Sequence, residues 1–252
     1  MSVAHQDHAA HTVLVVDDHP AARYATCRAV RAAGFQVLEC ATGAAGLQMA
    51  RQGVSAVVLD VHLPDLHGFE VCRLLRADPA TRTIPVVHVS AIHVGTNDMV
   101  NGLGAGADAY YVSPVEPSVL VATLDALIRA RTEMTYLAAQ DRRFRGIFEG
   151  ASSAIALVGA SGELLEVNAA FAELAQTHRQ RLTGVHLSKL VPVDWTVRVE
   201  ALAAGWSGTS WTGKFPLSAG RRGAVPVEWS VSPHPDEHAS VAVARLDPAG
   251  RP

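Results

Sequence analysis

Two adjacent aspartates, Asp17 and Asp18, follow the apolar run TVLVV (12–16), and a third, Asp60, closes another, SAVVLD (55–60). Ser90 ends the run IPVVHVS (84–90), and Ser113 follows ADAYYV (107–112). In an open parallel sheet, ligands bind beyond the carboxyl ends of the strands. Three acids and two hydroxyls therefore converge on one edge. Three close carboxylates repel one another, and without a cation at least one takes a proton. Oxygen-only donors suit Mg²⁺, which is small, octahedral and keeps several waters. Beside such an ion a carboxylate can attack phosphorus, because the metal neutralises the incoming charge. The Ser90 hydroxyl could then donate to a phosphoryl oxygen. Aspartates also cap helices, and Asp18 before HPAAR could do so. Capping does not account for Asp60 behind a fully apolar AVVL.

The elements that must position these residues are readable from periodicity. Five short β-branched runs, the four above and FQVLEC (35–40), alternate with helical stretches such as AARYATCRAVRAA (21–33) and FEVCRLLRA (69–77). Strand and helix in series predict a parallel sheet covered on both faces, with right-handed crossovers. Gly34 and Gly53 are expected C-caps. A helix beginning near Pro117, a good first-turn residue, continues as Leu120, Leu124, Leu127, Met134, Leu137, Phe144 and Phe148, a seam interrupted by Arg131 and Asp141. That seam reads as a dimerising coiled-coil connector or as one amphipathic helix lying on its own domain. Beyond residue 150 the texture changes. AIALVG and ELLEVN flank a Ser-Gly turn, and TSWTGKFPL, AVPVEWSVS and ASVAVARL follow short helices. An antiparallel α+β domain is expected there.

Composition bounds the function. The 252 residues are 49% apolar with net charge −3, enough for two cores and with no general attraction to nucleic acid or anionic membrane. No apolar stretch nears the roughly 20 residues of a membrane span, and the start lacks a secretory pattern. Cys27, Cys40 and Cys72 fit neither a zinc site nor a disulfide frame, and reduced thiols in a cytoplasmic protein are expected. There are two lysines, Lys189 and Lys214, against 19 arginines.

The stretches VLVVDDHPAAR, AVVLDVHLPDLHGFEVCRLLR, IPVVHVSA and GADAYYVSPVEP resemble the receiver domain of bacterial two-component response regulators, over residues 12–130. The resemblance implies a flavodoxin-like, doubly wound five-stranded sheet of order 2-1-3-4-5. It implies Asp60 as phosphoacceptor, with Asp17, Asp18, Asp60 and the backbone carbonyl of His62 holding Mg²⁺. Ser90 and Tyr110 would form the conformational switch. Receivers carry a Lys–Pro pair after the fifth strand, where this chain has Ser113–Pro114. A serine is short and neutral, and an arginine-rich chain would have had a cation to place there. Arg23 or Arg82 are the candidate substitutes. The flanking His62 and His67 read as surface loop residues.

The stretch from FRGIFEGASSAIALVG through RQRLTGVHLSKLV resembles a PAS domain, with Asn168 and Gly184 as its marks. Its four tryptophans, Trp195, Trp206, Trp211 and Trp229, are expected in core and interface. No cysteine follows Cys72, and His178 and His186 read as exposed, so neither flavin nor haem is expected. The expected layout is a disordered tail (1–11), a receiver domain (12–130), a helical connector (131–149) and a PAS domain (150–247). Together these imply an atypical response regulator: a cytoplasmic, homodimeric phosphoacceptor and not a multiple-turnover enzyme. Its partner would be a sensor histidine kinase, with output through an unnamed protein and without nucleic acid or membrane. The alternative is a pseudo-receiver docking module attached to a ligand-sensing PAS domain.

Overall fold

Valine-rich runs are buried best between two helical layers, and the first unit is built that way. The computed structural model describes residues 8–90, 104–206, 209–234 and 238–247. It divides into two units, Met1–Ala138 and Ala139–Pro252. In the first, β1 (Thr12–Val16), β2 (Gln36–Cys40), β3 (Ala56–Asp60), β4 (Val86–Ser90) and β5 (Ala109–Val112) pair in parallel. Their order is β2-β1-β3-β4-β5, as expected. Helices α1 (Pro20–Ala32), α2 (Gly43–Ala50) and α3 (Gly68–Ala77) cover the sheet with the start of a long helix, α4 (Pro117–Gly150).

Alternation along the strands splits the core in two. Leu14, Val16, Val57 and Leu59 pack with Val71 and Leu75 of α3. Val13, Val15, Ala56 and Val58 pack with Val30 of α1 and with Leu120, Leu124 and Ile128 of α4. Each fully buried Val or Leu contributes about 1.5–3 kcal/mol. Pro20 opens α1 and Gly34 follows it at φ +96°, a left-handed position that glycine adopts without strain.

One expectation changes. The tail expected over 1–11 is structured from His8, where His8–Ala10 form a 3₁₀ turn. The His8 ring stacks on Phe35 with centroids 4.2 Å apart and donates Nδ1–H to the Ala33 carbonyl at 2.7 Å. An apolar ring and an open helix end thus hold the segment in place. Residues 1–7 of that tail lie outside the described residues. Helix α4 runs as one element from Pro117 to Gly150, and the stretch expected as a helical connector (131–149) lies within it. Arg131, which interrupts the seam in sequence, donates Nη1 to the carbonyls of Val54 and Ser55 at 3.0 and 3.2 Å. The first half of the seam therefore serves the chain's own core, whereas Met134, Leu137 and Phe144 are exposed.

The second unit places β6 (Ala154–Gly159), β7 (Leu164–Val167), β8 (Trp211–Ser218), β9 (Ala224–Pro233) and β10 (Ala239–Leu246) in one antiparallel sheet of order β7-β6-β10-β9-β8. Against it lie α5 (Ala169–Leu174), α6 (Thr196–Ala204) and several 3₁₀ turns. Its interior is filled by aromatic rings. Phe215 stacks on Trp229 at 4.5 Å, and Phe171 meets Trp229 edge-on. Trp206 and Trp229 are buried, while Trp195 and Trp211 pack half-exposed against the same cluster.

Candidate functional site

The carboxylates meet where strand ends predict. β1 stops at Val16, and the Asp17 N–H continues the ladder onto the Cys40 carbonyl at 3.2 Å. Asp60 is the last residue of β3, directly next to β1 in the sheet. One carboxylate oxygen from each of Asp17, Asp18 and Asp60 lies within 4.8 Å of the others. Ligands about 2.1 Å from an octahedral ion sit about 3 Å apart when adjacent and about 4.2 Å when opposite. The spacing and the hard oxygen donors both suit Mg²⁺, with room for water ligands.

The electrostatics fit a site short of positive charge. Burial pushes the Asp60 carboxyl above its ordinary range, and the neighbouring Asp17 and Asp18 push it the same way. Backbone N–H groups of His62 and Val61 oppose them. Burial also raises Asp17, against the His19 N–H that donates to it at 2.8 Å. A divalent cation would relieve both.

The loop after Asp60 is tightly fixed. The Val61 N–H donates to Asp60 Oδ1 at 2.7 Å, and the Gly68 N–H to the Val61 carbonyl at 2.8 Å. A Cβ at Gly68 would collide with the Asp60 carbonyl oxygen and the Val61 Cα. His62, whose carbonyl is the expected fourth ligand, belongs to this loop. Its exposed ring meets His67 edge-on at 5.6 Å.

Ser90 ends β4 and is fully buried. Ser113 is set beside it by its own N–H, which donates to the Ser90 carbonyl at 2.7 Å, and Ser113–Pro114 is a cis peptide. Tyr110 on β5 is buried and lies opposite His88 of β4 in the ladder. Neither arginine offered from sequence is turned to the phosphoacceptor. Arg23 donates Nη1 to the Asp17 carbonyl at 2.7 Å and pairs with Glu39 at 3.5 Å. Arg82 precedes β4, at the opposite edge of the sheet.

Two residues near the site were not singled out from sequence. Asp65 accepts the N–H groups of Gly43 and Ala44 at 2.8 Å each, which holds its carboxyl below the usual range and ties the loop to α2. His88 sits fully buried in a valine strand, and burial lowers its imidazole to about 4. A histidine inside VVHVS was the available signal for the second.

In the second unit, Asn168 is buried with its amide fully used. Oδ1 accepts from Ile155 and Phe171, both at 2.9 Å, and Nδ2 donates to the Phe148 and Ser153 carbonyls. It fastens the end of α4 to β6 and α5. Both nitrogens of His186 are engaged, Nδ1 with Ser188 and Nε2 with the Ser161 carbonyl at 2.7 Å. His178 is exposed.

A family model for the response regulator receiver domain matches residues 13–125, and one for a PAS domain matches 142–205. Response regulator PleD of Caulobacter vibrioides is 30% identical over 233 residues, covering 88% of this chain and 51% of PleD. Protein PilH of Pseudomonas aeruginosa is 37% identical over 117 residues, 46% of this chain and 96% of PilH. DNA-binding response regulator MtrA of Mycolicibacterium smegmatis is 37% identical over 118 residues, 46% of this chain and 50% of MtrA. The chain thus spans about half the length of PleD and MtrA. Among solved structures, a putative response regulator from Chloroflexus aurantiacus is 31% identical with TM-score 0.45, covering 47% of this chain and 98% of its own.

Proposed function

The chain belongs to the response regulator family, with a receiver domain followed by a PAS domain, and from that premise we propose that it accepts a phosphoryl group on Asp60 from a partner histidine kinase. The observation that carries this is the gathering of three carboxylates within 4.8 Å at the strand ends. Asp17, Asp18, Asp60 and the His62 carbonyl would hold Mg²⁺, which supplies charge neutralisation for the transfer. The Asp60 carboxylate oxygen forms the O–P bond as the donor's P–N bond breaks, and the freed imidazole takes up a proton. Ser90 donates its hydroxyl to a phosphoryl oxygen. The chain stores the phosphoryl group and turns over no substrate of its own.

Output passes through protein contacts in the cytoplasm. The exposed apolar residues Met134, Leu137, Phe144 and Ile147 of α4 support pairing with a second copy. Among the described residues no helix is long and apolar enough to cross a membrane. Ser113 favours a second reading, in which the receiver only docks and the PAS domain senses a small ligand.

The test uses the full chain with Mg²⁺ and a small phosphoryl donor such as acetyl phosphate. Intact-mass measurement should find one added phosphoryl group, lost in Asp60→Asn and on Mg²⁺ removal. A protein that stays unmodified and binds no beryllofluoride would leave the docking reading standing.

A further inference from the structure

Among the described residues, three buried polar atoms on β4 and β5 have no hydrogen-bond partner: His88 Nε2, Ser90 Oγ and Tyr110 OH. They share a face of the sheet, because His88 and Ser90 are two apart on β4 and Tyr110 is paired with His88 in the β4–β5 register. The His88 and Tyr110 ring centroids are 6.2 Å apart, and Phe69 packs edge-on against His88 at 5.2 Å. All three side chains are at least nine-tenths buried, with exposures of 0%, 0% and 8%.

The atoms are chemically complementary. His88 Nδ1 faces the Leu59 carbonyl at 3.3 Å, and a carbonyl only accepts. Nδ1 therefore carries the hydrogen and Nε2 presents a lone pair. Burial, which lowers the imidazole to about 4, agrees with a neutral ring. Ser90 and Tyr110 each bring a hydroxyl able to donate. A buried donor or acceptor left without a partner is destabilising, so one acceptor and two donors on one face will pair when a side chain turns.

Resting on the receiver function proposed above, we propose that His88 is a positioning residue of the switch: its Nε2 is the acceptor that holds the Tyr110 hydroxyl inside the fold. Ser90 competes for the same lone pair in the unmodified protein. The Ser90 hydroxyl has a second destination, the phosphoryl oxygen on Asp60. Once it turns there, His88 is left to Tyr110. This links site occupancy to the inward position of the β5 aromatic without a lysine at position 113.

The experiment is nitrogen NMR on the full chain with ¹⁵N-histidine, the His88 signals being assigned by their loss in His88→Gln. The expected tautomer is protonated at Nδ1, and a proton on Nε2 would overturn the proposal. In Mg²⁺-free protein, Ser90→Ala should move the Nε2 resonance further toward that of a strongly hydrogen-bonded acceptor, because the Tyr110 phenol is a stronger donor than the Ser90 alcohol it displaces. The double variant Ser90→Ala/Tyr110→Phe should cancel the shift. A Ser90→Ala shift that survives the second change, or no shift at all, overturns it. Adding Mg²⁺ and beryllofluoride to the unsubstituted protein should reproduce the Ser90→Ala shift. Beryllofluoride bound at Asp60 is read separately by its fluorine resonance. If none forms, the phosphoacceptor function fails, while the Mg²⁺-free arm still decides the role of His88.

Discussion

Replacing Ser113 by lysine should strengthen the phosphoryl state and weaken the bare metal state. β3 and β5 are separated by β4 alone, which is two steps of about 4.8 Å. The Ser113 Oγ is two bonds from its Cα and cannot cross that distance to Asp60, whereas a lysine's four-carbon stem with an ammonium at its tip can. A hydrogen bond to a charged group contributes about 1.5–3 kcal/mol net, which corresponds to about 10- to 150-fold in affinity. Beryllofluoride affinity at saturating Mg²⁺, titrated by fluorine NMR, should tighten by that factor in Ser113→Lys and not in Ser113→Met. Mg²⁺ affinity without beryllofluoride should fall in Ser113→Lys, because the ammonium repels the ion from the same three carboxylates. Equal beryllofluoride affinities for the lysine and methionine variants would refute the idea that the missing charge, and not the missing length, sets the weakness of this site.

Other outcomes follow from the same site and the residues around it. His88 has a folded value near 4 against 6.5 for the free imidazole, so the unfolded chain binds the extra proton between those values. Stability from this residue is complete above pH 6.5 and falls toward pH 4, by roughly 3 kcal/mol in all. The raised carboxyls of Asp17 and Asp60 act in the opposite sense on acidification, so the check is the difference in urea midpoint between His88→Met and the parent protein across that window. Gly68→Ala, which drives a methyl into the Asp60 backbone, should cost about 1–3 kcal/mol of stability. In the fraction that remains folded, Mg²⁺ affinity should fall as well, and calorimetry that found metal binding intact would separate the loop's fold from its chemistry. Glutamate at both Leu137 and Phe144 should abolish self-association in sedimentation while leaving phosphorylation of Asp60 unchanged.

The strands of the first unit were legible because burial on both faces demands unbroken β-branched runs, and TVLVV coincides with β1 residue for residue. The acid pair and Asp60 were legible for the same reason: a charge directly after a fully apolar run has few structural uses. The role of Arg131 was not legible. In sequence it breaks a heptad seam, and only the fold brings the Val54 and Ser55 carbonyls beneath it. Asp65 was hidden likewise, since its N–H partners on α2 lie 22 and 21 residues earlier in the chain. The N-terminal turn was missed because a histidine-rich polar stretch carries no periodicity. What holds it is one ring on Phe35 and one carbonyl at a helix end.

Ser113 acquires its meaning from the charges around Asp60. The largest influences on that carboxyl are burial and two neighbouring carboxylates, set against two backbone N–H groups. A receiver with a lysine here has two sources of positive charge for an incoming phosphoryl group, one covalently fixed and one exchangeable. With serine in its place, and with Arg23 committed to a backbone carbonyl and to Glu39, the exchangeable ion carries that role. Under the proposed function, phosphoryl acceptance should then depend on Mg²⁺ concentration more steeply than in a lysine-bearing variant of the same chain. Coupling to β5 must run through side chains beneath the strand ends instead of through a cation bridging them. The polar atoms of His88, Ser90 and Tyr110, unpaired among the described residues, occupy that position.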